Sequence, residues 1–132
     1  MSDAISDFLA GSTYAVVGAS NDRWKYGNKV LRCYLQNGRR AIPVNPRSDV
    51  VEGIAAVPDL ASLPEPVHGA SIITQPEVTE QVVEEAAKAG ITRLWMQPGA
   101  ESDRAIGRAR ELGLSVIAGG PCVLVVLGFR ER

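Results

Sequence analysis

The residues with the clearest chemical potential in this sequence lie between two glycines, Gly18 and Gly27. They include Ser20, Arg23 and Lys25, and they follow an apolar segment and precede an amphipathic one. A strand, a glycine-containing loop and a helix, in that order, direct the N–H groups of the helix N-terminus toward a bound phosphate, and basic side chains add charge-assisted hydrogen bonds. The dinucleotide fingerprint G-x-G-x-x-G keeps its glycines close together, whereas Gly18 and Gly27 are nine positions apart. The spacing predicts a longer phosphate-binding loop; the alternative is that its side chains are simply solvated.

A second polar segment, Asn45-Pro46-Arg47, follows the next apolar run. A site for NAD usually has an acidic residue at the end of the second strand, where it binds the ribose 2′-hydroxyl. The arginine in this segment instead suits a ribose that carries a phosphate. Two common cofactors fit this pattern: coenzyme A (CoA), which has a 3′-phosphate, and NADP, which has a 2′-phosphate.

Side chains that catalyse reactions in other settings have simpler explanations here. Ser20 has no histidine placed to activate it, and we expect His68 to be a surface or loop residue. Cys122 is expected to be a small buried apolar side chain; the alternatives are a reactive thiol and a disulfide with the thiol of CoA. Glu101 and Asp103 fall at a predicted helix start, where acids are stabilised by the helix dipole. We expect no catalytic residue and, with one histidine and two distant cysteines, no metal site.

The elements that must position these residues alternate along the chain. Continuous apolar runs predict five strands, and apolar residues at helical spacing predict the helices between them. Continuous runs indicate a parallel sheet that is covered on both faces, so the pattern predicts a single doubly wound α/β domain. The predicted strands are 13–17, 41–44, 69–74, 92–96 and 114–118, and the predicted helices are 27–37, 76–89 and 102–112. The proline-containing connection 48–69 is predicted to be extended with one helical turn, and its role stays open.

Length and composition set wider limits. A chain of 132 residues is expected to form one domain, with an N-terminal helix or cap over residues 1–12. The formal charge of −1 gives no support to nucleic-acid binding, which requires a clustered basic surplus. No apolar run is long enough for a membrane span, and the acidic N-terminus is unlike a signal peptide. We therefore expect a cytoplasmic protein with reduced cysteines.

The ends of the predicted strands are where a ligand is expected. In open parallel sheets, ligands bind beyond the carboxyl ends of the strands, close to the point where the strand order reverses. Strand-to-helix turns favour glycine and proline in any case, but here all five ends combine them with polar groups. The five segments are Gly18-Ala19-Ser20, Asn45-Pro46-Arg47, Thr74-Gln75-Pro76, Gln97-Pro98-Gly99 and Gly119-Gly120-Pro121.

Taken together, five motifs resemble the CoA-binding domain family, the stand-alone relatives of the N-terminal domain of the succinyl-CoA synthetase alpha subunit. They are "VVGAS", "KYGNKV", "PVNPR", "WMQPGAES" and "AGGPCVLV", and the similarity covers roughly residues 13–127. The resemblance implies a Rossmann-like fold, a five-stranded parallel sheet with helices on both faces, that holds the ADP part of CoA at the strand ends. The synthetase subunit also has a second domain with a phosphorylated histidine. His68 lies outside the motifs, so ligase chemistry is not expected of this chain alone.

The resemblance also implies a role for each segment at the strand ends. Gly18, Ala19 and Ser20 would line the phosphates, with Lys25, Tyr26 and Gly27 completing the loop that Arg23 also belongs to. Asn45, Pro46 and Arg47 would face the 3′-phosphoribose, and Thr74, Gln75 and Pro76 would border the adenine. Gln97, Pro98 and Gly99 would lie along the pantetheine.

The sequence thus predicts a protein that binds CoA or an acyl-CoA and is not a free-standing enzyme. Two alternatives from other classes stay open. One is a small NADP-dependent enzyme, and the other is a nucleotide-sensing module that docks on a partner enzyme. Neither a nucleic acid nor a membrane is expected as a partner. The sequence leaves open the oligomeric state, the purpose of the bound CoA and the presence of an acyl group.

Overall fold

Five parallel strands form the central sheet of the computed structural model, which describes residues 3–131. The described residues contain seven strands, of which β3 and β4 form a separate pair. In chain order they are β1 (Thr13–Val17), β2 (Arg40–Val44), β3 (Val50–Val51), β4 (Ile54–Ala55), β5 (Gly69–Ile72), β6 (Arg93–Met96) and β7 (Ser115–Ile117). The sheet has the order β2-β1-β5-β6-β7, with parallel pairing throughout. All five predicted strands are therefore present, and several are a residue or two shorter than predicted.

Helices cover both faces of this sheet. They are α1 (Asp3–Leu9), α2 (Tyr26–Gln36), α3 (Pro76–Lys88) and α4 (Asp103–Glu111). Successive residues of β1 point to opposite faces: Tyr14 and Val16 pack with α1 and α2, whereas Ala15 and Val17 pack with α3 and α4. The predicted doubly wound, Rossmann-like α/β fold is confirmed.

The helix boundaries follow from local chemistry. Pro76 occupies the first turn of α3, where its missing N–H has no intrahelical partner to lose. Ser102 caps α4, because its Oγ accepts a hydrogen bond from the N–H of Ala105 at 3.0 Å. The observed helices agree with the predicted ones to within one or two residues at each end. No helix within residues 3–131 is long and apolar enough to cross a membrane.

The connection between β2 and β5 contains a hairpin that the sequence analysis missed. The strands β3 and β4 pair antiparallel around Glu52 and Gly53, whose φ angles of 50° and 77° fit the two-residue turn that joins such strands. The predicted helical turn is present as a 3-10 helix at Leu60–Ser62, capped by Asp59.

The helix α1 covers the end of the sheet where β1 and β5 begin. Phe8 is buried there, and its carbonyl oxygen accepts a hydrogen bond from the hydroxyl of Tyr14 at 2.6 Å. His68 is half-buried, with its Nε2 2.7 Å from the carbonyl oxygen of Asp7. His68 therefore joins the connection to α1, remote from the carboxyl ends of the strands. The predicted N-terminal helix is present; residues 1 and 2 lie outside the described residues.

Candidate functional site

The strand order reverses between β1 and β5, because the chain passes from β1 through α2 to β2 and then crosses to the other side. At this switch point the carboxyl ends of β1, β2 and β5 border an open cleft of about 830 Å³. Ligands of open α/β sheets bind at such positions. The predicted site residues that line the cleft are Gly18, Ala19, Ser20, Lys25, Tyr26, Gly27, Asn45, Pro46, Arg47 and Thr74.

Two glycines bring the ends of the loop between β1 and α2 into direct contact. Gly18 has a φ of 97°, which other residues rarely adopt, and a Cβ at this position would overlap the carbonyl oxygen of Ile73. A Cβ on Gly27 would overlap the carbonyl oxygen of Gly18. The packing of the chain against itself therefore requires both glycines before any ligand is considered, which explains their fixed places at the two ends of a long loop.

Side-chain amides fix the path of the loop. The Nδ2 of Asn45 donates to the carbonyl oxygen of Ala19 at 2.8 Å, and the Nδ2 of the buried Asn28 donates to that of Ser20 at 2.7 Å. The Oγ of Ser20 accepts a hydrogen bond from the N–H of Asp22 at 3.0 Å. The loop thus has a defined shape that does not depend on a ligand.

The N-terminus of α2 opens into the cleft without a cap. Lys25 occupies the N-cap position and makes no side-chain cap hydrogen bond, and the first turn contains no acidic residue. Lys25, Tyr26 and Gly27 all line the cleft. The first N–H groups of a helix need partners from outside it and carry partial positive charge. This arrangement is suited to an anion.

A second positive group lies across the cleft at the end of β2. The N–H of Arg47 donates to Oδ1 of Asn45 at 2.7 Å, which fixes the turn. The Arg47 side chain is exposed and forms no salt bridge within residues 3–131. The cleft therefore has one basic residue at the start of α2, Lys25, and a second after β2, Arg47.

Sequence reasoning missed several residues that also line the cleft. Val78, which is 43% exposed, gives the wall at α3 an apolar surface that suits a flat ring. Asp59 also lines the cleft, and its carboxylate accepts hydrogen bonds from Ser62. The spacing of Asp59 and Ser62 is a capping pattern that would have marked this turn. The residues missed are Val17, Val44, Ser48, Pro58, Asp59, Ile73, Val78, Val82 and Glu85.

The predicted segments after β5 and β6 border a second, shallower depression of about 380 Å³ beside the cleft, whereas Gly119-Gly120-Pro121 lines neither of the two. Thr74 lines both, so the two are neighbours. The predicted site residues in this depression are Thr74, Gln75, Pro76, Pro98 and Gly99.

The structure places two predicted site residues away from the cleft surface. Arg23 forms a salt bridge with Glu52, with 2.6 Å between Nη1 and Oε1. Asn28 also donates to Glu52, at 2.9 Å, and this hydrogen bond, together with the charge of Arg23, lowers the pKa of Glu52 below its ordinary value. Gln97 is fully buried and accepts hydrogen bonds from Tyr26 and Val123. Arg23 therefore holds the β3–β4 hairpin against the loop between β1 and α2. Gln97 lies in the interior and supports the start of α2 through its hydrogen bond with Tyr26.

The fold and the position of the cleft define a doubly wound α/β protein with an open cleft at its switch point. Residues 12–128 match the family model described as CoA binding domain. The chain therefore belongs to the CoA binding domain family.

Relatives fall into stand-alone and multidomain proteins. A conserved hypothetical protein from Pyrococcus furiosus has a solved structure with a TM-score of 0.83 and 36% identity, over 87% of this chain and 98% of that one. An uncharacterized protein of Bacillus subtilis is 29% identical over 78% of this chain and 76% of its own length. The alpha subunit of acetate–CoA ligase [ADP-forming] II of Pyrococcus furiosus is 32% identical over 58% of this chain but only 17% of the subunit. The family thus includes proteins of about this size as well as one part of a larger ligase subunit.

Proposed function

We propose that this protein binds CoA or an acyl-CoA through its ADP part in the cleft at the switch point, and that it serves as a cofactor-binding protein without catalysis of its own. The observation that carries the proposal is the pairing of an uncapped helix N-terminus, beside Lys25, with Arg47 at the neighbouring strand end. CoA carries a diphosphate and a separate 3′-phosphate, so it presents two anionic groups to two cationic regions.

The diphosphate is assigned to the loop between β1 and α2. The N–H groups of Ala19 and Ser20 and those in the first turn of α2 are the donors, and Lys25 adds a charge. The N–H of Gly18 is not among them, because it donates to the carbonyl oxygen of Val44 at 3.1 Å. The close approach of the backbone at Gly18 and Gly27 fixes the two ends of this loop.

The 3′-phosphoribose is assigned to the end of β2, where Asn45 holds the turn that presents Arg47. The adenine is assigned to the wall formed by Thr74 and Val78, which combines a hydroxyl with an apolar surface. The pantetheine then extends from the diphosphate toward the segment after β6, where Pro98 and Gly99 border the shallower depression and Gln97 contacts Tyr26.

NADP is the competing ligand, because a 2′-phosphate would also suit Arg47. NAD is disfavoured, since the end of β2 supplies no acid for the ribose. Of the two acids that line the cleft, Glu85 belongs to α3, and Asp59 already accepts hydrogen bonds from Ser62. The ligase activity of the larger relative belongs to a subunit of which this chain spans 17%, and it is not part of the proposal.

Thermal unfolding with CoA, NADP and NAD separates these candidates. A ligand that binds only the folded state stabilises it by about 2.7 kcal/mol at a hundred times its Kd. We expect CoA to raise the Tm, NADP to raise it less and NAD to leave it nearly unchanged. A larger shift with NADP than with CoA would overturn the proposal in favour of an NADP-dependent enzyme.

A further inference from the structure

A thiol, a phenol and a carboxamide meet where β6 and β7 end. The hydroxyl of Tyr26 lies 2.6 Å from the Sγ of Cys122 and donates to the Oε1 of Gln97 at 3.1 Å. The N–H of Val123 also donates to this Oε1, at 3.0 Å, so the oxygen of the carboxamide must face these donors. Cys122, Tyr26 and Gln97 are called the thiol cluster below. Cys122 is half-buried, which differs from the buried apolar side chain that its sequence context predicted.

The carboxamide of the thiol cluster has an unused donor. Gln97 is fully buried, and its Nε2 has no hydrogen-bond partner among residues 3–131. Buried polar groups are nearly always hydrogen-bonded, and an unpaired one calls for an explanation. Tyr26 and Val123 hold the oxygen end of this amide, and the hydroxyl of Tyr26 links it to Cys122. A ligand carbonyl reaches the buried donor only when Gln97 shifts toward the surface; the pantetheine arm of CoA contains amide carbonyls of this kind and ends in a thiol.

The thiol cluster adjoins the cleft through Tyr26. This residue lines the cleft, and its hydroxyl contacts Cys122. The pantetheine arm of a CoA that is bound by its ADP part extends away from the diphosphate, and Tyr26 connects the diphosphate end of the cleft with Cys122. Thiols that react are partly exposed, and Cys122, half-buried beside the Tyr26 hydroxyl, is more accessible than the buried Cys33.

We propose that Cys122 forms a mixed disulfide with CoA by exchange with CoA disulfide, the oxidised dimer of CoA. This proposal rests on the proposed function, because the ADP part of the disulfide must first bind in the cleft. The Cys122 thiol releases its proton to solvent, and the thiolate attacks one sulfur of the CoA disulfide. A sulfur–sulfur bond forms to Cys122 as the original one breaks, and the second CoA leaves as a thiolate that takes up a proton. The bound disulfide is itself the oxidant.

Intact-mass spectrometry of the reduced protein tests this step. The protein is incubated separately with CoA disulfide and with hydroxyethyl disulfide, which lacks the ADP part, each at about 10 µM, and the rate of adduct formation is measured. Tethering gives millimolar effective concentrations, so we expect CoA disulfide to react roughly 100 times faster than the small disulfide. The rate should saturate with CoA disulfide concentration, and peptide mapping of the unsubstituted protein should locate the adduct at Cys122. Cys122→Ser should abolish the adduct, whereas Cys33→Ser, at a buried thiol, should retain it.

Titration calorimetry with reduced CoA, run in parallel, separates the two proposals. If CoA binds but Cys122 gains no adduct, reacts no faster than with the small disulfide, or is passed over for Cys33, the inference is wrong and the proposed function stands. If CoA does not bind, both proposals are wrong. The peptide map needs no variant, so a Cys122→Ser protein that fails to fold does not affect the result.

Discussion

Arg47 offers the sharpest test of which ligand the cleft recognises. It is exposed, its backbone is fixed by Asn45, and its guanidinium forms no salt bridge within the described part of the chain. Arg47→Ala therefore removes a charge without breaking an ion pair of the protein itself. In the proposed complex it removes one charge-assisted hydrogen bond to the 3′-phosphate, worth about 1.5–3 kcal/mol.

The exposure of Arg47 sets where in this range the effect should fall. Exposed charges are partly screened at physiological salt, where the Debye length is about 8 Å, so we expect the lower end, about 1.5 kcal/mol. At about 1.4 kcal/mol per factor of ten, this is roughly a tenfold loss of CoA affinity. Dephospho-CoA lacks the 3′-phosphate, so it should bind the unsubstituted protein more weakly and respond little to Arg47→Ala.

Titration calorimetry on the four combinations of protein and ligand gives the coupling between Arg47 and the 3′-phosphate. Arg40→Ala is the control for net charge, because it makes the same charge change at the opposite end of β2, although it also removes a salt bridge to Glu65. It should lower the affinity for both ligands equally or not at all. A coupling within about 0.5 kcal/mol of zero would refute the assignment of Arg47 and leave Lys25 as the phosphate contact. A coupling above about 1 kcal/mol is the expected result.

Two further predictions concern the loop that forms the cleft. Gly27→Ala should lower the free energy of unfolding by about 1–3 kcal/mol, since its Cβ overlaps the carbonyl oxygen of Gly18. Gly107→Ala is the control, because a Cβ at this position in α4 would contact nothing, and it should raise the free energy of unfolding by about 0.5–1 kcal/mol. Urea unfolding measures both variants. A Gly27→Ala protein as stable as its parent would contradict the close packing. The hydrogen bond from Asn28 helps to lower the pKa of Glu52 below its ordinary 4.5. Ionised Glu52 therefore stabilises the fold above pH 4.5, and this stabilisation is lost as the pH falls through the lowered pKa. Glu52→Gln should therefore be less stable than the parent protein at pH 7, with a deficit that shrinks in acid; a deficit independent of pH would show that the charge of Glu52 is not involved.

The parts of the fold that could be predicted are those encoded by neighbouring residues. Pro76 and Ser102 mark helix starts through chemistry that acts within one turn. The continuous apolar strands predicted a sheet buried on both faces, and such a sheet has its ligands at the carboxyl ends of the strands. The location of the cleft followed from these local signals, because the segments at the ends of β1, β2 and β5 converge on the switch point whatever their side chains are.

The parts that could not be predicted depend on residues far apart in the chain. Arg23 donates to Glu52, which is 29 positions away in the sequence. Glu52 lies in the turn of the β3–β4 hairpin, whose strands of two residues are too short to show a hydrophobic period. Gln97 follows a strand in the same way as the other polar site residues, but the N–H of Val123, 26 positions away, holds it in the interior. A polar residue at a strand end can thus face a cleft or support it, and only the tertiary contacts decide which.

These same contacts indicate how affinity and selectivity would be divided in the proposed complex. The loop that is assigned to the diphosphate is already held by Asn45, Asn28 and the glycine contact at Gly27, so binding there incurs little ordering cost. Every ligand that contains ADP would benefit equally from this rigid part. Selectivity between such ligands must therefore come from what lies beyond the diphosphate: Arg47 on an exposed turn for the additional phosphate, and Cys122 with Gln97 for the pantetheine. Because these two regions lie on different strand ends, substitutions in one should change ligand preference without changing the response to the other, and their effects on binding should be additive.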